Sequence, residues 1–275
     1  MHQSNDVQFA TTDFSTGVWL HYAQGGDPTG EPIIFLHEYS DSWFSFSRVL
    51  PLLSSEYHAF ALTQRGHGDS DKPECCYTLD DFAADVDAFM EAVSIEEATL
   101  VGMSGGSFIA QRVALDYPHR VSRFVLISSA VTLRDNEAVM GLVEEMLALK
   151  DPISPEFVRE WQEVNVYHPV PDEFFATVVS ESLKLPARVW RDYWEGVVLE
   201  PDHASRLGEI DAPTLVLWGE QDAVFWREDP ERLAAAIPDA TLKVYLETGH
   251  SVHWERPEEV VRDLEAFMKE IRPTR

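Results

Sequence analysis

Only two of the 275 residues are cysteine, and they are neighbours, Cys75 and Cys76. A long-range disulfide framework is therefore excluded; reduced thiols in a loop are the expectation, with a strained vicinal disulfide the alternative. Basic residues are also scarce: 21 Lys and Arg stand against 48 Asp and Glu, a formal net charge of -27. That balance argues against nucleic acid or an anionic membrane surface as a partner, although a buried pocket can differ from the outer surface. No stretch approaches the roughly 20 apolar residues of a membrane helix. The N-terminal residues lack the basic region and apolar run of a secretory signal, so a cytoplasmic protein is expected. No repeat or low-complexity segment stands out, and composition sets no oligomeric state. The acids Asp80, Asp81, Asp85, Asp87, Glu91, Glu96 and Glu97 fall in one stretch without Lys or Arg. They read as a solvated helix face.

What is present is a regular alternation of short apolar runs and helix-like segments. Hydrophobic residues make up 45% of the chain, enough for one large domain with an insertion. Residues 17–22 alternate apolar and polar side chains and suggest an early strand, followed by turn chemistry over 25–30. Residues 32–37, 57–62, 99–103, 123–128, 213–218 and 241–246 read as further strands. Helices are expected over 44–53, from residue 78 onward, directly after Ser104, and over 258–271. Thr78 is a capping candidate, and Phe82, Val86, Phe89 and Val93 give its helix an apolar face. This spacing predicts an α/β fold with a mostly parallel central sheet and flanking helices. Alternation lapses from 131 to 207, which reads as an inserted helical cap. The core is then 1–130 with 208–275. Among the cap's many rings, Trp161, Trp190 and Trp194 are candidates for the wall of an apolar substrate cavity.

One stretch carries chemistry. Apolar residues run into Gly102, Ser104 follows, then Gly105 and Gly106, and a helical pattern starts at once. A G-x-S-x-G between a strand and a helix is the context in which a serine is lifted clear of a sheet. A serine hydroxyl is a weak nucleophile until a base takes its proton, and a histidine base works best when an acid orients its other nitrogen. Ser104, Asp222 and His250 occur in that order, each after a predicted strand, so they can meet at one sheet edge. His253 competes with His250 for the role of base. Its spacing is also that of a short metal-ligand pair, but no matching ligand cluster appears, and no metal site is expected.

These motifs make the chain resemble the α/β-hydrolase fold family, in its cap-bearing branch of esterases and epoxide-hydrolase-like proteins. The likeness covers nearly the whole chain. It rests on the elbow from Gly102 to Gly106, the acid loop from Leu217 to Asp222 and the histidine loop from Gly249 to Pro257. The loop from Arg65 to Ser70 adds to it. In that resemblance the histidine directly after glycine, His250, is the base. The backbone N–H groups of Tyr39 and Gly105 would hold the oxyanion. Relatives with epoxide hydrolase or dehalogenase chemistry use an aspartate nucleophile, which Ser104 argues against here. The implied reaction is acyl transfer to water through an acyl-enzyme, with a small-molecule ester or lactone as substrate and no cofactor or metal. Alternatives are a carbon–carbon bond hydrolase acting on a ketonic substrate, a cofactor-free perhydrolase, and a non-enzymatic small-molecule receptor that keeps the pocket. One residue departs from the pattern. Relatives commonly carry His-Gly where this chain has His37 and Glu38. Glu38 is expected either to point to solvent or pair with an arginine, or to narrow the site and bond a polar substrate group. In both readings its charge should face away from the reacting carbonyl.

Overall fold

The structure, a computed structural model, describes residues 8–13, 15–199 and 203–270. Its centre is an eight-stranded sheet of order β1-β2-β4-β3-β5-β6-β7-β8. The strands are β1 (Gln8–Asp13), β2 (Trp19–Gly26), β3 (Glu31–Leu36), β4 (Tyr57–Leu62), β5 (Ala98–Met103), β6 (Val121–Ile127), β7 (Thr214–Gly219) and β8 (Ala240–Tyr245). Strands β1 and β2 pair antiparallel, as do β2 and β4; the other neighbours are parallel. The helices are α1 (Leu79–Ala92), α2 (Gly105–Asp116), α3 (Glu137–Gly141), α4 (Val143–Leu147), α5 (Pro155–Glu163), α6 (Asp172–Ser182), α7 (Ala187–Tyr193), α8 (Glu228–Ala236), α9 (Val252–Glu255) and α10 (Pro257–Lys269). The expected end of the last helix at 271 lies outside the described residues.

The central strands read as unbroken apolar runs because both sheet faces are covered. Successive side chains point to opposite faces. Ile34, Leu36, Leu100 and Leu126 therefore join one core with Phe82 of α1 and Ile109 of α2. Ile33, Phe35, Val101 and Val125 join the other with Phe46 and with Val260 and Leu264 of α10. Helix α1 starts in a reciprocal cap. Asp81 N–H donates to Thr78 Oγ1 and Thr78 N–H to the Asp81 carboxylate.

Four local expectations change. Strand β2 runs on through Gly25 and Gly26, so the turn is confined to Asp27–Gly30, closed by Gly30 N–H on the Asp27 carbonyl at 2.8 Å. The expected helix over 44–53 is instead two short 3-10 turns, Trp43–Phe46 and Leu50–Leu52. Pro51 has no N–H and its ring would strike the carbonyl four residues back, so an α-helix cannot pass through it. Asp80, Glu91, Glu96 and Glu97 are solvent-exposed, but Asp85 is buried against Arg65 and Asp87 pairs with Arg120. Cys75 and Cys76, expected as thiols, are joined as a disulfide.

Parallel register brings the strand ends to one edge. Leu36 pairs with Gly102, Met103 with Ile127, and Ile127 with Leu217. The residues after β3, β5, β6 and β7 therefore emerge side by side. The chain from 128 to 213, between β6 and β7, carries helices α3 to α7 and no strand among its described residues. No helix among the described residues is long and apolar enough to cross a membrane.

Candidate active site

Ser104 stands at the turn between β5 and α2 with φ 46° and ψ -116°. A non-glycine residue with positive φ is strained, and the turn survives because its flanks leave no alternative. A side chain at Gly102 would come within 2.6 Å of the Ser107 Cα, and one at Gly106 would strike the carbonyls of Leu36 and His37. Both glycines thus let β3, β5 and α2 close around the serine. Gly105 opens α2, where the first N–H groups have no partner within the helix. The Tyr39 N atom lies against Gly105. Neither Tyr39 N–H nor Gly105 N–H donates to a protein acceptor among the described residues outside α2. The two expected oxyanion donors therefore lie together beside Ser104.

His250 follows β8 and is buried. Its Nδ1 lies 2.9 Å from each carboxylate oxygen of Asp222. Asp222 is itself held by the N–H groups of Val224, at 2.7 Å, and Phe225, at 3.0 Å. With Nδ1–H committed to the carboxylate, Nε2 carries the free lone pair. Ser104 and His250 line the same cavity, of about 280 Å³, without a direct hydrogen bond between them. Such bonds are often formed only with substrate in place. His253 sits elsewhere. Its Nε2 lies 2.9 Å from Ser45 Oγ, which also accepts from the Trp254 indole, and burial lowers its pKa to about 3. It serves the packing of α9.

Helices α3, α4 and α5, with Trp194 just after α7, line this cavity opposite the strand ends. Its apolar wall includes Val139, Met146, Phe157, Trp161 and Trp194, with Asn165 and the mouth acids Glu145 and Glu160. Trp161 and Trp194 are thus where the sequence pattern puts them. Trp190 is not: it is fully buried outside the lining, stacked edge-on against Tyr39 at 5.0 Å, and its carbonyl accepts the Tyr39 hydroxyl at 2.8 Å. The α7 helix turns the Trp190 side away from the cavity, so it braces the loop after β3. A larger open groove of about 1040 Å³ lies at the opposite, amino-terminal strand edge, past Glu31, Arg123 and Asp211, and has no histidine in its lining.

Of the two readings of Glu38, the one with solvent exposure or an arginine partner is corrected, while the side chain does line and narrow the cavity. The Glu38 backbone needs no positive φ; Ser40, with φ 67°, makes the bend. That removes the conformational objection to replacing glycine. The side chain neither reaches solvent nor meets an arginine. It lines the cavity, with Oε2 at 3.7 Å from Nε2 of His250. Oε1 accepts from Ser251 Oγ at 3.3 Å and from Asn165 Nδ2 at 3.4 Å. Burial first, then the neighbouring Asp41, hold the Glu38 pKa well above the usual carboxylate range. Burial also raises Asp41, to about 8. Asp41, Gln162 and Asn165 carry no sequence motif, yet they complete this buried cluster: Gln162 Nε2 reaches Asp41 Oδ1 at 3.5 Å and Asn165 Nδ2 reaches Gln162 Oε1 at 2.9 Å. Among the described residues, no group of three His, Cys, Asp or Glu side chains has the arrangement of a metal site.

Comparison with known proteins agrees with this architecture. The chain is 29% identical over 270 residues to the uncharacterized hydrolase YugF of Bacillus subtilis, covering 92% of this chain and 95% of that one. It is 27% identical over 278 residues to the 2-hydroxy-6-oxo-6-phenylhexa-2,4-dienoate hydrolase of Comamonas testosteroni, covering 91% of each. The solved esterase of Exiguobacterium antarcticum superposes with a TM-score of 0.83 at 21% identity, over 96% of this chain and 100% of that one, a likeness of fold. A family model described as alpha/beta hydrolase fold matches residues 31–257. With the sheet order, the strained serine turn and that match in hand, the chain belongs to the alpha/beta hydrolase fold family and is a hydrolase.

Proposed function

We propose that this protein is a serine hydrolase that cleaves a small, uncharged carboxylic ester or lactone with an apolar moiety. The observation that carries this reading is His250: Asp222 holds its Nδ1 while the ring and Ser104 line one cavity. In the reaction, Nε2 takes the Ser104 proton as Oγ attacks the substrate carbonyl carbon. Asp222 keeps the ring oriented and stabilises the imidazolium. The Tyr39 and Gly105 N–H groups receive the oxyanion. His250 then protonates the departing alcohol. A water, deprotonated by the same nitrogen, splits the acyl-enzyme and restores Ser104.

The cavity wall supports an uncharged substrate. It contains no Lys or Arg; its acids are Glu38 inside and Glu145 and Glu160 at the mouth. An anionic substrate would pass the two mouth acids and find no counter-ion. This favours a neutral ester over a carboxylate such as the dienoate for which the Comamonas relative is named. Trp194, whose indole N–H is buried without a protein acceptor, is a spare donor on the wall.

The test is a fluorophosphonate label on wild type and Ser104→Ala, followed by a panel of neutral and anionic esters and lactones. Labelling of wild type alone, with turnover of neutral members, is the expected result. A folded wild type that takes no Ser104-dependent label would overturn the assignment.

A further inference from the structure

The serine-hydrolase reading uses Ser104, His250 and Asp222, and leaves a second buried acid group unexplained. Glu38 and Asp41 are both buried, and each lies within hydrogen-bonding reach of the other. Around Glu38 stand Ser251 and His250 from the loop after β8, Asn165 after α5, Asp222 after β7 and Tyr193 on α7. Around Asp41 stand Ser45, Gln162 of α5 and Glu181 of α6. Not one of these partners is Lys or Arg. Two adjacent carboxylates in such a place cannot both be charged near neutral pH, because burial and mutual repulsion act in the same direction.

We propose that the buried Glu38–Asp41 pair stays protonated near neutral pH, and that Glu38 thereby stands as a neutral acid beside His250, leaving Nε2 free to serve Ser104. The inference rests on the serine-hydrolase reading. Glu38 acts through His250 and is a positioning residue, with Asp41 as its proton partner. If Glu38 were ionised at 3.7 Å from Nε2, the imidazole would lie between two carboxylates, Asp222 on one nitrogen and Glu38 on the other. It would then hold a proton on Nε2 and could not accept one from Ser104. Ionising Glu38 has a second effect: it adds a buried negative charge close to the forming oxyanion, which it repels. The proton on Glu38 therefore protects both the base and the transition state, and its loss at alkaline pH should lower the rate.

The experiment measures kcat/KM against pH for wild type, Glu38→Gln, Asp41→Asn and the double variant, with melting temperature and Ser104 labelling recorded for each. Wild type should lose activity on the alkaline side. Glu38→Gln, a permanent neutral isostere, should fall about threefold to tenfold near pH 7 and lack the alkaline decline. Asp41→Asn leaves the burial of Glu38 in place but removes the neighbouring acid, so Glu38 should ionise at lower pH than in wild type. The alkaline decline should then begin earlier, with kcat/KM on that side about tenfold below wild type. Adding Glu38→Gln to Asp41→Asn should restore the rate to within about threefold of Glu38→Gln alone. A merely structural acid pair gives no such rescue. An alkaline limb unchanged in Glu38→Gln overturns the inference, and so does a double variant no better than Asp41→Asn. If Asp41→Asn does not fold, the Glu38→Gln profile decides alone. Intact Ser104 labelling alongside a negative result removes this inference only; absent labelling in wild type removes the hydrolase reading beneath it.

Discussion

Two buried acid clusters in this protein follow opposite rules. At Asp85, each carboxylate oxygen accepts a guanidinium N–H of Arg65 at 2.6 Å, and Arg65 also donates to the Cys76 carbonyl at 2.7 Å. Every charge there has a fixed, opposite partner, and the pair ties α1 to the loop after β4. At Glu38 and Asp41 there is no cation except the one His250 would carry when protonated. The neighbours are amides, hydroxyls and further acids. The first cluster is saturated and lies away from Ser104; the second borders the cavity that Ser104 lines and has its protonation state left to settle. A buried polar group bound on every side holds structure, while one with an unspent valence at a cavity is available to chemistry. The histidines differ by place instead. His253 lies among Ser45 and apolar rings away from the cavity, its Nδ1 buried without a protein partner, whereas His250 presents Nε2 to the site.

The histidine contrast carries the largest expected effect. His250→Ala should lower kcat by about 10⁴-fold or more, the scale of losing a member of a serine–histidine–acid unit. His253→Ala should keep kcat within about threefold and lose stability instead. Initial rates on one neutral ester, paired with thermal melts, read both. Comparable loss of rate in the two variants would erase the distinction.

Next in size is the saturated ion pair. Asp85→Ala strands Arg65 in the interior and should lower stability by about 3–5 kcal/mol, as broken buried pairs do. Glu38→Gln should shift stability by less than about 1 kcal/mol near pH 5, where both versions are neutral there. Urea midpoints give the comparison. A large loss in Glu38→Gln would mean that the carboxyl group holds the fold together in the way Asp85 does.

A smaller effect sharpens the same contrast through pH. The Glu38–Asp41 pair keeps its proton in the folded state, with Asp41 raised to about 8, while the unfolded chain releases it near pH 4. Across that window the folded state binds more protons, so this pair's contribution to stability declines as pH rises from about 4 to about 8. Replacing both acids by their amides should flatten that part of the stability profile. Denaturation at a series of pH values checks it, and an unchanged slope would place the buried proton elsewhere.

The smallest expected effect on turnover concerns the tryptophans. Trp161→Ala and Trp194→Ala should change acyl-chain preference by a fewfold to tenfold, with Ser104 labelling preserved. Trp190→Ala removes a wholly buried ring and should lower stability by about 3–5 kcal/mol. An ester series of graded length and melting curves distinguish wall from brace.

Much of the fold was legible because its signals are local. Ile33 to Leu36 and Leu100 to Met103 read as buried strands from composition alone, and Thr78 with Asp81 announces a helix start. Glycine at 102 and 106 marks the sharp turn at Ser104, since the close approach of neighbouring backbone tolerates nothing larger. The failed helix over 44–53 shows the limit of apolar spacing read without giving Pro51 its full weight. Trp190 shows another: a ring's identity says that it will be buried, not against what.

By itself, the sequence determined the strand and helix pattern, the strained turn, and the order in which Ser104, Asp222 and His250 follow β5, β7 and β8. Periodicity, glycine sterics and proline's missing N–H act within a few residues, so they can be read in one dimension. The tertiary structure alone decided what surrounds each acid and each ring. Glu38 meets Asn165 across 127 positions of chain, and Ser45 meets His253 across 208. Those encounters set burial and the distance between charges. Protonation depends on both, so the state of Glu38 beside His250 exists only once the helices between β6 and β7 have closed over the sheet edge.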